Sequence, residues 1–241
     1  MNMALWMLAA LVGYFVKGVA GIGNTLVVTS VMAYSRTNAE ITPVELLLCV
    51  PTNLVVTWVY RRHINWRLAA APLCMVLAGD LLGVLLLKNV DVSAMKTVFG
   101  VVLILLSVEQ LWRELRGKPA RQTHPALMLA LGISAGVLCG MFGVGALLAA
   151  YFARVTTDDA TYKGTMSVIF TVENFFRVIA YSVTGLLTVQ SLQNAAMLLP
   201  FMGLGLFLGI RLSSRMNPRA MRLVITLMLL ISGVPLLLTS L

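Results

Sequence analysis

Histidine, cysteine and acid are all scarce in this chain. Its two histidines, His63 and His124, sit far apart in polar connectors. Its three cysteines, Cys49, Cys74 and Cys139, each lie inside an apolar run. An odd number of dispersed thiols offers neither a disulfide framework nor a metal-ligand spacing. Only nine aspartates and glutamates are scattered over 241 residues. A membrane-embedded enzyme would need paired histidines, a Ser–His arrangement or metal-spaced carboxylates. None is present, so the sequence reads as a non-enzyme with no cofactor and no metal. Nothing resembles an ATP-binding loop. Charged residues make up 11% of the chain, against roughly 25% in a soluble domain. The longest polar stretch runs only from Arg113 to His124, which leaves no room for a soluble domain.

Apolar residues fill the remainder, at 59%. The apolar segments fall at 3–34, 43–60, 68–87, 94–112, 125–153, 164–187, 193–210 and 219–240. Six of them have the length of one bilayer crossing; the first and fifth are too long for a simple span. The N-terminus lacks a basic n-region and a small-residue cleavage site, so the first segment is expected to stay in the mature protein. The fourteen methionines read as apolar filler. A net charge of +9 is better explained by basic cytoplasmic loops that orient a membrane protein than by nucleic-acid binding.

The two long segments each carry a glycine cluster of the same spacing. Gly18, Gly21 and Gly23 recur as Gly140, Gly143 and Gly145, 122 positions later. Further landmarks repeat in the same order. The stretch from Asp91 to Lys96 resembles that from Asn217 to Arg222, Gly79 and Gly83 match Gly205 and Gly209, and Asn53 matches Asn174. The chain is therefore read as one transporter domain, 1–241. Repeat 1 spans about 1–112, a linker 113–123 and repeat 2 about 124–241. Several helix starts carry caps: Thr42-Pro43-Val44-Glu45 has the form of a capping box, and Asp91 and Asn217-Pro218 give further cap signals.

Charge counting selects a topology. If each glycine segment crosses once, seven basic residues fall on one side and nine on the other. If each turns back at its cluster, the split becomes thirteen to three, with Arg154, Lys163 and the Arg113–Arg121 loop on the basic side. The second arrangement obeys the positive-inside rule. It predicts an all-α integral membrane fold of two inverted repeats, each a glycine-broken helical hairpin plus three transmembrane helices. Both termini then face away from the cytoplasm. Each hairpin arm is expected to be about 14 residues, or roughly 21 Å, short of a full crossing.

Paired, glycine-interrupted segments in two halves point to a transporter's binding site. Freed backbone groups survive in a membrane only where they are buried in protein or line a cavity. New helices are expected to begin at Asn24-Thr25 and at Ala146, with positive dipole ends that attract anions. The candidate substrate-binding residues are accordingly Lys17, Gly21, Gly23, Asn24, Thr25, Asn53, Gly143, Gly145, Asn174 and Arg177. Lys17 lies deep in apolar sequence, where charge is costly and usually functional. Arg177 has Glu173 one helical turn before it, an ordinary helix ion pair that must nonetheless be buried. Asn53 and Asn174 serve either an oxyanion or interhelical hydrogen bonding. Asp80 is a proton carrier or a partner for a cation, and with Glu173 it is a candidate for coupling or gating. Glu45 is accounted for by its capping box, and Glu109 is expected at an interface.

The chain resembles the TauE/SafE family of sulfite and organosulfonate exporters. The resemblance rests on the two glycine clusters, on the His63-Ile64-Asn65-Trp66 turn, and on the Gly79/Gly83 and Gly205/Gly209 segments, and it covers nearly the whole chain. Asn24 and Ala146 stand where family members commonly carry a further glycine. The resemblance implies a multi-pass permease of the bacterial-type inner membrane. It would move small sulfur-containing anions and be driven by an ion gradient. A transporter of a metal cation or another small solute, and a non-transporting assembly subunit, remain as alternatives.

Overall fold

A computed structural model describes residues 3–32, 38–86, 125–142, 145–156 and 158–217, with single positions between 101 and 116 and between 220 and 227. Among these residues the structure is all helical. The helices are α1 (Met3–Ala20), α2 (Asn24–Met32), α3 (Asn38–Val59), α4 (Trp66–Leu86), α5 (Pro125–Phe142), α6 (Ala146–Val155), α7 (Asp159–Val183) and α8 (Val189–Ser213). A short 3₁₀ turn, Arg61–His63, joins α3 to α4. Five helices among the described residues (α1, α3, α4, α7 and α8) are long and apolar enough to cross a membrane. Most of the fourth and eighth apolar segments, the Asp91 cap, Glu109 and Gly143 lie outside the described residues.

The first glycine segment breaks where the sequence predicts. α1 ends at Ala20 and α2 starts at Asn24. Between them Gly21 has φ +82° and Gly23 φ +99°, a left-handed backbone that other L-residues adopt at a cost of roughly 1–2 kcal/mol. The chain then folds back: a Cβ on Gly13 of α1 would meet Val28 of α2 at 2.9 Å and the Asn24 carbonyl oxygen at 3.2 Å. The arms are unequal, 18 residues in α1 and 9 in α2, which corrects the expectation of two equal arms. α5 and α6 have 18 and 10 residues, and α6 starts at Ala146 as expected.

Other helix starts differ from the sequence reading. α3 begins at Asn38, so Thr42 and Pro43 lie inside the helix and Glu45 is no capping residue. The polar first turn, which holds Glu40, continues the helix toward its N-terminus and suits the positive dipole end. α7 begins at Asp159 rather than near 164, because Asp158 caps it by accepting from the Thr161 amide at 2.8 Å. Burial pushes the Asp158 carboxyl up, and the Thr161 and Ala160 hydrogen bonds outweigh that, leaving it below the ordinary carboxylate range. Lys163, counted from the sequence as a loop charge, is consequently buried in the second turn of α7. Thr188 caps α8 in the same way through the Ser191 amide at 3.1 Å.

The helices pair in a regular scheme. α1 lies against α8, and α5 against α4; α3 lies against α7, and also against α8, while α4 lies against α7. Small residues make the closest crossings, as membrane helices require in the absence of a hydrophobic driving force between them. A Cβ on Gly205 or Gly209 of α8 would fall into the Leu11 or Phe15 carbonyl oxygen of α1. A Cβ on Gly79 or Gly83 of α4 would fall into the Ile133 or Val137 carbonyl oxygen of α5. Ile133 and Val137 stand 122 positions beyond Leu11 and Phe15, the separation of the glycine clusters. Gly18 belongs to the first of these contacts, facing the Leu206 carbonyl and Gly209.

Candidate functional site

The two broken segments and the crossing of α3 with α7 enclose one cavity. Its volume is about 50 Å³, room for roughly four waters at ~10–15 Å³ each, or for one small oxyanion. α1 and the first break contribute Lys17, Gly21, Ile22 and Gly23, and α2 contributes Asn24 and Thr25. α3 contributes Thr42, Glu45, Leu46, Cys49 and Asn53; α7 contributes Phe170, Glu173, Asn174 and Arg177. Cys139 of α5 and Gly145 complete the wall. A Cβ on Gly145 would collide with the Phe170 ring, so glycine there lets the second break approach α7.

Of the residues singled out in the sequence, Lys17, Gly21, Gly23, Asn24, Thr25, Asn53, Gly145, Glu173, Asn174 and Arg177 all meet at this cavity. Gly143 lies outside the described residues. Asp80 does not line the cavity: it sits on α4 between the two glycines that face α5, with no exposed surface.

Lys17 is 3% exposed. Its Nζ donates to Thr52 Oγ1 at 3.0 Å and lies 5.6 Å from the centre of the Tyr14 ring. Pro51, one residue before Thr52, cannot supply a helical N–H to the Leu47 carbonyl. α3 therefore runs past the cavity as a continuous helix that lacks one backbone hydrogen bond. Arg177 donates from Nη1 to Glu173 Oε1 at 3.3 Å and from Nη2 to the Tyr181 hydroxyl at 3.0 Å. Its Nε finds no partner among the described residues, and neither does the Asn174 Nδ2. A buried donor left unmatched costs ~1–3 kcal/mol. Two such donors, one of them on a cavity-lining amide, fit an acceptor that occupies the site.

Sequence reasoning missed Glu45. It is 3% exposed and accepts from Asn24 Nδ2 at 3.1 Å, and the Thr25 side chain hydrogen-bonds to it as well. The same Asn24 nitrogen lies 3.0 Å from Cys49 Sγ, and Tyr14 places its hydroxyl 3.6 Å from that sulfur. Asn24 thus fastens the start of α2 to α3 rather than pointing a free amide into the cavity. Glu45 also alters the charge count. Lys17 and Arg177 are matched by Glu45 and Glu173, so the excess positive potential comes from the N-termini of α2 and α6, each equivalent to roughly half an elementary charge. A spacing argument that placed Thr42 outside the helix had hidden Glu45; its position two turns before Asn53 on a cavity-lining helix is the signal that reveals it.

Beyond the cavity the opposite ends of α3 and α7 are closed. Thr57 and Thr171 share a hydrogen bond at 3.1 Å, and Thr165 Oγ1 accepts from the Asn65 amide at 3.1 Å. A Cβ on Gly164 would meet the Tyr60 carbonyl at 2.9 Å. Lys163 hydrogen-bonds to Ser213 and lies 5.7 Å from the Tyr60 ring centre. Its Cγ would meet a Cβ on Gly21 at 3.1 Å. The cavity therefore reaches toward the Thr42 end of α3 and is shut at the Tyr60 end.

The sequence profile of the sulfite exporter TauE/SafE family matches residues 5–236. A probable sulfite/organosulfonate exporter TauE of Cupriavidus necator is 26% identical over 166 residues, covering 67% of this chain and 64% of that protein. The shared region is thus less than two thirds of that relative's length. No solved structure matches. The chain belongs to the sulfite exporter TauE/SafE family, a family of transporters rather than enzymes, and is a multi-pass protein of the bacterial inner membrane.

Proposed function

We propose that the protein is a secondary transporter that binds one small sulfur-containing anion, such as sulfite or an organosulfonate, in the cavity between α3 and α7. The observation that carries this reading is the buried Asn174 Nδ2, without a partner among the described residues, at a cavity wall that also presents Lys17, Arg177 and the starts of α2 and α6. Donors and positive dipole ends converge there on a space of oxyanion size. The name of the Cupriavidus necator relative favours sulfite or an organosulfonate as the cargo. Lys17 and Arg177 would attract the anion, Asn53 and Asn174 would donate to its oxygens, and Gly21, Gly23 and Gly145 would let backbone approach it.

The same reading includes two inverted repeats working against each other. Its support is the swapped pairing of α1 with α8 and α5 with α4, and the matching glycine-to-carbonyl contacts at the 122-residue offset. Access would alternate between the Thr42 and Tyr60 ends, driven by an ion gradient. Anion counterflow in liposomes reconstituted with the purified protein tests the function directly. Trans-stimulated exchange of radiolabelled sulfite supports it; liposomes that exchange neither sulfite nor any sulfonate refute it.

A further inference from the structure

Asp80 is the buried titratable group that the anion cavity does not use. It has no exposed surface, and neither carboxyl oxygen has a hydrogen-bond partner among the described residues. An ionised carboxylate without hydrogen bonds in a low-dielectric interior is among the costliest arrangements a protein can hold; such groups shed their charge instead. Gly79 and Gly83 press α4 against the backbone of α5 on either side of Asp80, so the carboxyl cannot swing out to water by a rotamer change alone. The titratable and charged groups that act on it are Cys139 from α5, and Glu173 and Arg177 from α7. α4 packs directly on both helices.

A second idle group completes the picture. The Arg177 guanidinium has a buried Nε with no partner among the described residues. An idle acceptor on α4 and an idle donor on α7 thus lie within electrostatic reach of each other, while Arg177 also forms the cavity wall. We propose that Asp80 is a proton-binding site whose ionisation draws Arg177 away from the anion cavity, so that a proton and an anion occupy the protein together.

In the proton-bound state the Asp80 carboxyl is neutral, and Arg177 stays with Glu173 and Tyr181 at the cavity, the contacts seen in the structure. When the proton leaves to water, the new carboxylate requires a cation. Glu173 repels it and Arg177 attracts it. Arg177 turns its Nε toward Asp80 while its Nη1 stays with Glu173, and the anion loses its deep guanidinium. Anion binding and proton binding thereby favour each other, and by linkage each raises the other's affinity by the same factor.

The inference rests on the transporter reading for its anion but not for its proton, and the experiment separates the two. Infrared spectra of the full-length wild-type protein, with carboxyl-13C aspartate incorporated at the chain's four aspartates, are recorded at neutral and alkaline pH. A protonated aspartate band at neutral pH, lost on alkalinisation and absent in Asp80→Asn, is the expected result. In parallel, equilibrium binding of methanesulfonate and sulfate, whose charges do not change above neutral pH, is measured over the same range. Wild-type affinity is expected to fall about tenfold as Asp80 ionises, and Asp80→Asn to keep its neutral-pH affinity throughout. An aspartate set fully ionised at neutral pH overturns the proposal, and so does pH-independent anion binding by the wild type. Failure of every anion to bind strikes the transporter reading instead, and the infrared bands still decide whether Asp80 holds a proton.

Discussion

The Asn24 side chain donates to the Glu45 carboxylate at 3.1 Å, and this bond joins the first residue of α2 to α3 at the wall of the cavity. Both groups are buried, so cutting the bond leaves a polar group stranded rather than returned to water. Glu45→Ala should lower thermal stability by about 1–3 kcal/mol and abolish transport. Glu45→Gln, which keeps an acceptor oxygen, should retain most of the stability. Thermal unfolding of the two purified variants checks the order; equal stability for both contradicts it.

The glycines divide into two physical classes with different failures. Gly21 must hold φ +82° against Lys163, so Gly21→Leu should abolish transport while the protein still reaches the membrane. Gly205 lets α8 meet the Leu11 carbonyl of α1, so Gly205→Leu should prevent folding and deplete the protein. Membrane abundance measured beside transport separates the two. Normal transport in Gly21→Leu removes the first break from the site.

The bond between Thr57 and Thr171 closes the Tyr60 end of the cavity. A Thr57→Cys/Thr171→Cys pair should crosslink under oxidation, and the crosslinked protein should still bind anion but no longer exchange it. Reduction should restore exchange. Full exchange by crosslinked protein shows that α3 and α7 do not part there.

Much of this site was legible because its physics is local. Gly21 and Gly23 announce the break before α2, and Gly145 stands directly before the start of α6. Lys17, Arg177, Asn53 and Asn174 stand out as polar groups in apolar surroundings, and all four reach the cavity. What escaped depended on tertiary context. Glu45 imitates a cap because Thr42-Pro43 precedes it, yet the helix extends back to Asn38. Lys163 imitates a loop charge because Asp158 and Asp159 precede it, yet the Asp158 cap draws it into α7. Cys49, Cys139 and Phe170 are ordinary apolar residues until the helix crossings bring them to one wall.

With buried Lys163 set aside, the division of basic residues becomes twelve to three, and the positive-inside rule predicts the same sidedness. In a cysteine-free background, a cysteine at position 118 should label only after the membrane is permeabilised. Labelling from outside intact cells contradicts inverted repeats with external termini.

The most direct test of the anion cavity is ligand-induced stabilisation of the wild type, Lys17→Gln and Arg177→Gln. A ligand at a hundred times its Kd stabilises by about 2.7 kcal/mol, a shift that is readily measured. Sulfite or a sulfonate should stabilise the wild type, whereas divalent metal cations should not. Lys17→Gln should fold normally and lose affinity by roughly tenfold or more, the scale of one hydrogen bond from a charged group. Arg177→Gln should also be less stable without ligand by about 3–5 kcal/mol, because Glu173 loses its buried partner. Wild-type stabilisation by these anions that falls to about 1.4 kcal/mol or less in Lys17→Gln at the same ligand concentration is the result the account predicts. Undiminished anion affinity in folded Lys17→Gln, or stabilisation of the wild type by cations alone, would contradict it.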